Sequence, residues 1–130
     1  MNENQKTEPT RILIIDDEAP FTRMVKLNMQ NAGNYVVETL NESPQARIVA
    51  KQFKPDIILL DVVMPEADGG DVATMLRESA ATKEIPIIFV SAMVSRNEAH
   101  KGLYQSGGEY FLAKPVSSDA LIDAINQVLL

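Results

Sequence analysis

The chain has 130 residues and a formal net charge of −6, and 45% of its residues are hydrophobic. This length suits one domain with its own core. The acidic balance, without any run of Lys or Arg, argues against direct binding to nucleic acid. The absence of cysteine excludes disulfides and thiolate metal sites.

Residues 1–10 are polar and mixed in charge, so we expect a short disordered lead-in before a domain over residues 11–130. They carry no secretory signal, and no segment approaches the ~18 apolar residues that a membrane span needs. We therefore expect a cytoplasmic protein without membrane contact. The sequence leaves open whether the chain is a complete protein or part of a longer one.

After the lead-in, short apolar runs alternate with segments that carry helix signals. The five apolar runs are Arg11–Ile15, Tyr35–Leu40, Asp56–Leu60, Pro86–Val90 and Glu109–Ala113. Three of them are nearly continuous in Ile, Leu and Val. This pattern is typical of strands that are covered on both faces in a parallel sheet.

Three helices are predicted between the first four runs. Pro20 suits a first helical turn, and Gly33 is placed to end that helix. Ser43 and Pro44 predict the N-cap and first turn of the second helix. The segment 70–80 supplies the third helix.

Two more helices follow in the C-terminal third. Ser95 and Glu98 form a capping box for a fourth helix, which Gly107 is predicted to end. Ser117 or Ser118 begins the last helix. The sequence thus predicts a (βα)₅ order. We expect an α/β fold with an open, doubly wound, five-stranded parallel sheet. Such sheets bind ligands at the carboxyl ends of their strands.

The predicted strand ends carry chemistry that fits one site. They are Asp16-Asp17-Glu18, Asp61, Ser91-Ala92 and Lys114-Pro115. Crowded carboxylates raise each other's pKa, and a divalent cation relieves that repulsion. Hard oxygen ligands of this kind suit Mg²⁺. A carboxylate beside Mg²⁺ can attack phosphorus to give an aspartyl phosphate, with a lysine and a hydroxyl neutralising the phosphoryl oxygens.

Each of these residues also has an ordinary structural interpretation. Asp17 alone would be a helix N-cap, Ser91 a loop hydroxyl and Lys114 a solvated charge. Four separate strands that place complementary chemistry on one edge favour a site instead.

Four motifs, in this order and spacing, resemble the receiver domain of bacterial two-component response regulators of the chemotaxis-regulator type. They are ILIIDDE (Ile12–Glu18), DIILLDVVMPEADGG (Asp56–Gly70), PIIFVSA (Pro86–Ala92) and YFLAKP (Tyr110–Pro115). The resemblance covers Arg11 to Leu130. It implies a flavodoxin-like fold with strand order 2-1-3-4-5.

The resemblance also implies roles at the phosphorylation site. Asp61 would be the phosphoacceptor. Asp16, Asp17, Asp61 and the backbone carbonyl of Val63 would bind Mg²⁺. Lys114 would contact the phosphoryl group.

Switching is implied for two further residues. Ser91 would move to bond the phosphoryl group, and Phe111 would turn inward after it. Strand alternation predicts that Tyr110 points the opposite way from Phe111. Gly69 matches the family's glycine in the turn before the third helix, and Pro115 a proline that usually follows a cis peptide bond.

Two positions beside the site vary within the family, and here they are Val63 and Met93. Neither side chain can orient a hydrolytic water. We therefore predict a comparatively long-lived phosphorylated form.

The implied function is a phosphorylation-dependent switch in a two-component phosphorelay, not a turnover enzyme. A sensor histidine kinase or phosphotransfer protein, or acetyl phosphate, would supply the phosphoryl group. An unknown output partner or output domain would read the face formed by the fourth helix, the fifth strand and the last helix. The alternative is a small Mg²⁺-dependent phosphohydrolase with an aspartyl-phosphate intermediate, but Val63 stands where that family needs a second acid. A flavodoxin-like cofactor binder ranks third, because no phosphate-binding loop follows the first strand.

Overall fold

In a computed structural model, which describes residues 8–64, 68–92, 102–114 and 116–130, a β-sheet runs through the centre of the fold. Its strands are β1 (Thr10–Ile15), β2 (Tyr35–Leu40), β3 (Ile57–Leu60), β4 (Ile87–Ser91), β5 (Tyr104–Ser106) and β6 (Glu109–Ala113). The helices described are α1 (Ala19–Ala32), α2 (Ala46–Phe53), α3 (Gly69–Arg77) and α4 (Ser118–Leu129), with a 3₁₀ turn at Ser43–Gln45. None of the helices within these ranges has the length and apolar content needed to cross a bilayer.

The sheet order is β2-β1-β3-β4-β6-β5. Strands β2, β1, β3, β4 and β6 pair in parallel. When only these parallel strands are numbered along the chain, β6 is the fifth. The predicted doubly wound sheet of order 2-1-3-4-5 is thus confirmed. The central strands β1 and β3 align Ile15 with Leu60, so the residues that follow, Asp16 and Asp61, come out side by side.

Both faces of the sheet are covered, which explains the continuous apolar runs. Ile12 and Ile14 of β1 belong to a buried cluster that includes side chains of α1 and α4. Leu13 and Ile15 belong to a second cluster, with side chains of α2 and α3. Since successive residues of a strand point to opposite faces, the buried part of β1, Ile12–Ile15, is apolar at every position.

The predicted helix boundaries are right for α1 and α4. Pro20 lies in the first turn of α1, and Gly33 follows its last residue. Ser117 is the N-cap of α4, where its Oγ accepts a hydrogen bond from the Ala120 amide at 3.1 Å.

The predicted N-cap at Ser43 is wrong. A 3₁₀ turn over Ser43–Gln45 precedes α2, which begins at Ala46. The Ser43 hydroxyl is buried and makes no hydrogen bond to any described residue. Because proline fixes its own φ without forcing an α-helical turn, the Ser-Pro pair suits a 3₁₀ turn equally well.

The predicted fourth helix is wrong where the structure describes it. Residues 104–106 form β5, which pairs antiparallel with β6 at the edge of the sheet. Gly107 and Gly108 have φ values of +58° and +82° and form the turn between these strands. Two consecutive glycines with positive φ suit a tight hairpin turn. The capping box at Ser95 and Glu98 lies outside the described residues.

Candidate functional site

Asp16 ends β1 as a buried acid held on two sides. Asp16 is only 1% exposed, and its backbone amide donates to the Leu40 carbonyl of β2 at 3.0 Å. The Glu18 amide donates to Asp16 Oδ1 at 2.9 Å, which turns the chain towards α1. Asp17 and Glu18 are exposed beside it.

Asp61 occupies the matching place after β3. It is 7% exposed, and its amide donates to the Ile15 carbonyl at 2.9 Å. The Val63 amide lies 3.4 Å from Asp61 Oδ1. One carboxylate oxygen each of Asp16, Asp17 and Asp61 lies within 4.8 Å of the other two, so the predicted acidic cluster forms.

This crowding changes the protonation of Asp61. Burial, followed by the charge of Asp16, raises the pKa of the Asp61 carboxyl to about 6. The charge of Lys114 and the Val63 amide oppose that rise without cancelling it. The carboxylate is therefore held in an environment that disfavours its own negative charge and favours a nearby cation.

Lys114 provides one such cation. It follows β6, and its amide donates to the Ser91 carbonyl at 3.0 Å. Its Nζ donates to Asp16 Oδ2 and Glu18 Oε1, each at 2.7 Å, and lies 4.0 Å from Asp61 Oδ2. Burial lowers the pKa of Lys114, but these hydrogen bonds and negative charges outweigh it and the pKa is raised overall.

Ser91 ends β4 and is buried. It lines an open cleft of about 700 Å³ together with Asp61 and Lys114. Val63 lies on the rim of the same cleft, 53% exposed. The four strand ends singled out from the sequence thus meet at one edge of the sheet, while Met93 and Pro115 lie outside the described residues.

Phe111 lies in β6 within an aromatic stack. Its ring centroid is 5.5 Å from that of Phe89 in β4 and 5.6 Å from that of Tyr104 in β5. Tyr110 packs against the cluster on the opposite face of the sheet, as strand alternation predicts. The candidate switch aromatic therefore touches both the core and the edge hairpin.

Four residues at the site were not predicted from the sequence. Phe21 and Met24 of α1 line the cleft, as does Val116, two residues before α4. The Phe21 ring lies 4.6 Å from Lys114 Nζ. Asn41, directly after β2, contacts the backbone of Asp16. Phe21 lies three residues after Glu18, about one helical turn away, and this spacing could have placed Phe21 at the site. No sequence pattern marks Asn41.

The residues present fit a magnesium ion. The cluster offers three carboxylates beside an open cleft that Asp17 and Asp61 line, and two of the three belong to the buried residues Asp16 and Asp61. Mg²⁺ takes oxygen ligands and keeps several waters, so it needs few protein ligands and access to solvent. Burial and the charge of Asp16 raise the pKa of Asp61, and a divalent cation beside it would favour its ionised form.

The chain is similar to known signalling proteins over nearly all of its length. The family model "Response regulator receiver domain" matches residues 12–126. Over 91% of the chain, it is 35% identical to the response regulator PleD of Caulobacter vibrioides, spanning 26% of that protein. It is 36% identical to the protein PilH of Pseudomonas aeruginosa, covering 92% of the chain and 97% of PilH.

A solved structure agrees with these relatives. The chemotaxis protein CheY4 of Vibrio cholerae superposes with a TM-score of 0.78 at 27% identity, covering 93% of this chain and 99% of that one. Other curated relatives are longer, and the chain spans about half the length of several of them. Family match, relatives and fold all agree: the chain belongs to the response regulator receiver domains of two-component signalling systems.

Proposed function

We propose that this receiver domain is a phosphorylation-dependent switch in which Asp61 accepts the phosphoryl group. Asp16, Asp17, Asp61 and the Val63 carbonyl would hold Mg²⁺. The observation that carries the proposal is the placement of Asp61 among two further acids and a lysine, with Lys114 Nζ 4.0 Å from Asp61 Oδ2.

The reaction is an attack of a carboxylate oxygen on phosphorus. An Asp61 oxygen forms the new O–P bond while the P–N bond of a phospho-histidine breaks, and the imidazole nitrogen keeps the electron pair and takes up a proton. When bound, Mg²⁺ supplies positive charge to the phosphoryl oxygens. With a pKa of about 6, Asp61 is mostly ionised at pH 7 and can act as the nucleophile.

The neighbouring side chains stabilise the product. Lys114 already lies close enough to Asp61 to contact a group attached to it, after exchanging its bonds to Asp16 and Glu18. The Ser91 hydroxyl would donate to a second phosphoryl oxygen. These residues position and neutralise charge, which is the main requirement of phosphoryl transfer.

Switching would pass from Ser91 to Phe111. The movement of Ser91 towards the phosphoryl group leaves room for Phe111 to turn inward from its place between Phe89 and Tyr104. The equilibrium between two conformations then shifts, because the phosphoryl group interacts more favourably with one of them. The partner would read the face that includes β6, α4 and the segment before β5.

The partners follow from the chemistry. A histidine kinase or phosphotransfer protein would supply the phosphoryl group, and an unidentified output partner or output domain would respond. The domain would act in the cytoplasm, where phosphodonors of this kind are produced. It would catalyse only its own phosphorylation and dephosphorylation. A turnover phosphohydrolase is less well supported, since Val63 takes the place of its general acid.

The decisive experiment measures covalent modification. The protein is incubated with Mg²⁺ and acetyl phosphate, and its intact mass is compared with that of Asp61→Asn. Asp119→Asn, an exposed acid on α4, serves as the matched control. We expect a stoichiometric adduct in the wild type and the control that is lost in Asp61→Asn. Sustained turnover without an adduct would instead support the phosphohydrolase, and the absence of both would contradict either function.

A further inference from the structure

We infer that Asn41 is a positioning residue for the metal site. Its side chain holds the peptide group between Asp16 and Asp17 in place. The inference rests on the proposed function, since it concerns the Mg²⁺ that Asp16 and Asp17 would bind. None of the motifs that relate the chain to receiver domains includes Asn41.

The contacts of Asn41 are specific. Its Nδ2 donates to the Asp16 carbonyl at 2.7 Å and to Thr22 Oγ1 at 3.1 Å. The Thr22 hydroxyl in turn donates its single hydrogen to the Ala19 carbonyl at 3.1 Å. Thr22 Oγ1 must therefore accept from Asn41, which fixes the orientation of the Asn41 amide.

These bonds join three elements at one point. Asn41 follows β2, the Asp16 carbonyl follows β1, and Thr22 lies in the first turns of α1. Thr22 and Asp16 are both buried and Asn41 is half-buried, so the bonds are partly shielded from water. The Asp16 carbonyl belongs to the peptide that leads into Asp17, so its orientation sets where the Asp17 side chain begins.

The loop is thus held from two directions. On the side-chain side, Lys114 bonds Asp16 and Glu18. On the backbone side, Asn41 bonds the Asp16 carbonyl. A cation that binds the carboxylates would displace Lys114 from Asp16, whereas the bonds of Asn41 involve no carboxylate and would persist. Asn41 therefore supplies a restraint on the peptide between Asp16 and Asp17 that remains when the metal is bound, in addition to the bond from the Asp16 amide to the Leu40 carbonyl.

The test is the affinity for Mg²⁺ itself. Asn41→Leu keeps a similar side-chain volume but removes both donated hydrogen bonds. Supporting groups around a metal site typically contribute 10- to 100-fold in affinity, so we expect Mg²⁺ binding to weaken by about tenfold. Isothermal titration of the chelator-treated protein with MgCl₂ measures this directly. Asn41→Ser, a milder change whose hydroxyl is too short to make both bonds, should weaken binding as well.

Thr82→Val provides the matched control. The Thr82 hydroxyl is also buried, and it donates to the Leu76 carbonyl at 2.6 Å at the far end of α3. Its loss should lower stability without changing the Mg²⁺ affinity. In a phosphorylation assay, saturating Mg²⁺ should return Asn41→Leu to the wild-type rate, because the metal affinity and not the chemical step is altered.

The outcomes separate the inference from the proposed function. Unchanged Mg²⁺ affinity in both Asn41 variants, with normal wild-type binding, would overturn the inference alone. An equal loss in Thr82→Val would overturn it too, since the effect would then follow from stability. A wild-type protein that binds no Mg²⁺ would overturn the metal site and the inference together.

Discussion

Gly69 shows how closely the backbone packs around the proposed phosphoacceptor. A Cβ atom at this position would lie 2.3 Å from the Asp61 carbonyl oxygen and 2.8 Å from Val62 Cα. Both atoms belong to the backbone, so the clash cannot be relieved by rotation of a side chain. The Gly69 amide also donates to the Val62 carbonyl at 2.7 Å, which holds the start of α3 against the end of β3.

Gly69→Ala should therefore destabilise the domain and disturb Asp61. We expect a loss of about 1–3 kcal/mol in the free energy of unfolding, as for other overpacked sites. Phosphorylation by acetyl phosphate should slow as well, since the carbonyl that must move is that of Asp61 itself. Urea denaturation and intact mass measure the two effects. Gly102→Ala is the control, because a Cβ there meets nothing within 4 Å; equal behaviour of the two variants would contradict this account.

Val63 bears on the lifetime of the phosphorylated state. Its exposed side chain lies on the rim of the cleft and offers no group that can orient a water molecule. Val63→Gln should shorten the half-life of the phosphorylated protein severalfold, because a glutamine amide can orient a water molecule for attack on the phosphoryl group. Val63→Leu, which stays apolar, should leave the half-life unchanged. Loss of phosphate can be followed by intact mass after the donor is removed, and rapid loss from the wild type would contradict the predicted long lifetime.

Among the elements, the β5–β6 hairpin is the feature that departs most from expectation. It adds an antiparallel edge to a parallel sheet and brings Tyr104 onto Phe111. Arg77 of α3 makes a bidentate ion pair with Glu109 at the start of β6, with N–O distances of 2.8 and 2.7 Å. Since both side chains are partly exposed, this pair contributes at most about 1 kcal/mol. Its main effect is to link the hairpin to α3.

The turn at Gly107 makes the hairpin testable. Its φ of +58° is in the left-handed region, which asparagine tolerates and β-branched residues do not. Gly107→Val should cost about 1–2 kcal/mol, whereas Gly107→Asn should remain close to the wild type. Hydrogen exchange at the β5 and β6 amides should quicken only in the valine variant. If the two substitutions were equivalent, residues 104–106 would not be held in this hairpin.

At the scale of the whole molecule, the ionised carboxylate of Asp61 lowers the stability of the folded state. Asp61 has a pKa of about 6 in the folded chain against an ordinary value of 3.8, chiefly because it is buried. The folded state therefore binds this proton more tightly than the unfolded state does. The contribution of Asp61 to folding is most favourable below pH 4 and becomes less favourable as the pH rises through 6.

Asp61→Asn should therefore stabilise the metal-free domain at pH 7. The pKa difference corresponds to at most about 3 kcal/mol in the free energy of unfolding, and the advantage should shrink as the pH falls towards 4. Urea denaturation of both proteins across this pH range, in the presence of a chelator, isolates the effect of Asp61 from that of other acids. A variant that is less stable than the wild type at pH 7 would contradict the electrostatic account. Added Mg²⁺ should stabilise the wild type more than the variant.

The sequence by itself determined the architecture and most of the site. The apolar runs that became β1 and β3 are continuous because both faces of the sheet are covered, and this identified a parallel sheet. Parallel strands share one carboxyl edge, so Asp16, Asp61 and Lys114 could be placed together before any distance was known.

Tertiary structure decided what depends on contacts between distant residues. The sequence pattern around Gly107 suits both the end of a helix and a hairpin turn, and pairing with β6 selects the hairpin. Asn41 carries no motif, and its bond to the Asp16 carbonyl joins residues 25 positions apart. The raised pKa of Asp61 likewise arises from burial and from the charge of Asp16 across the sheet. Spacing along the chain fixes which groups reach the edge, but the distances between them, and hence their charge states, arise only when the strands pack.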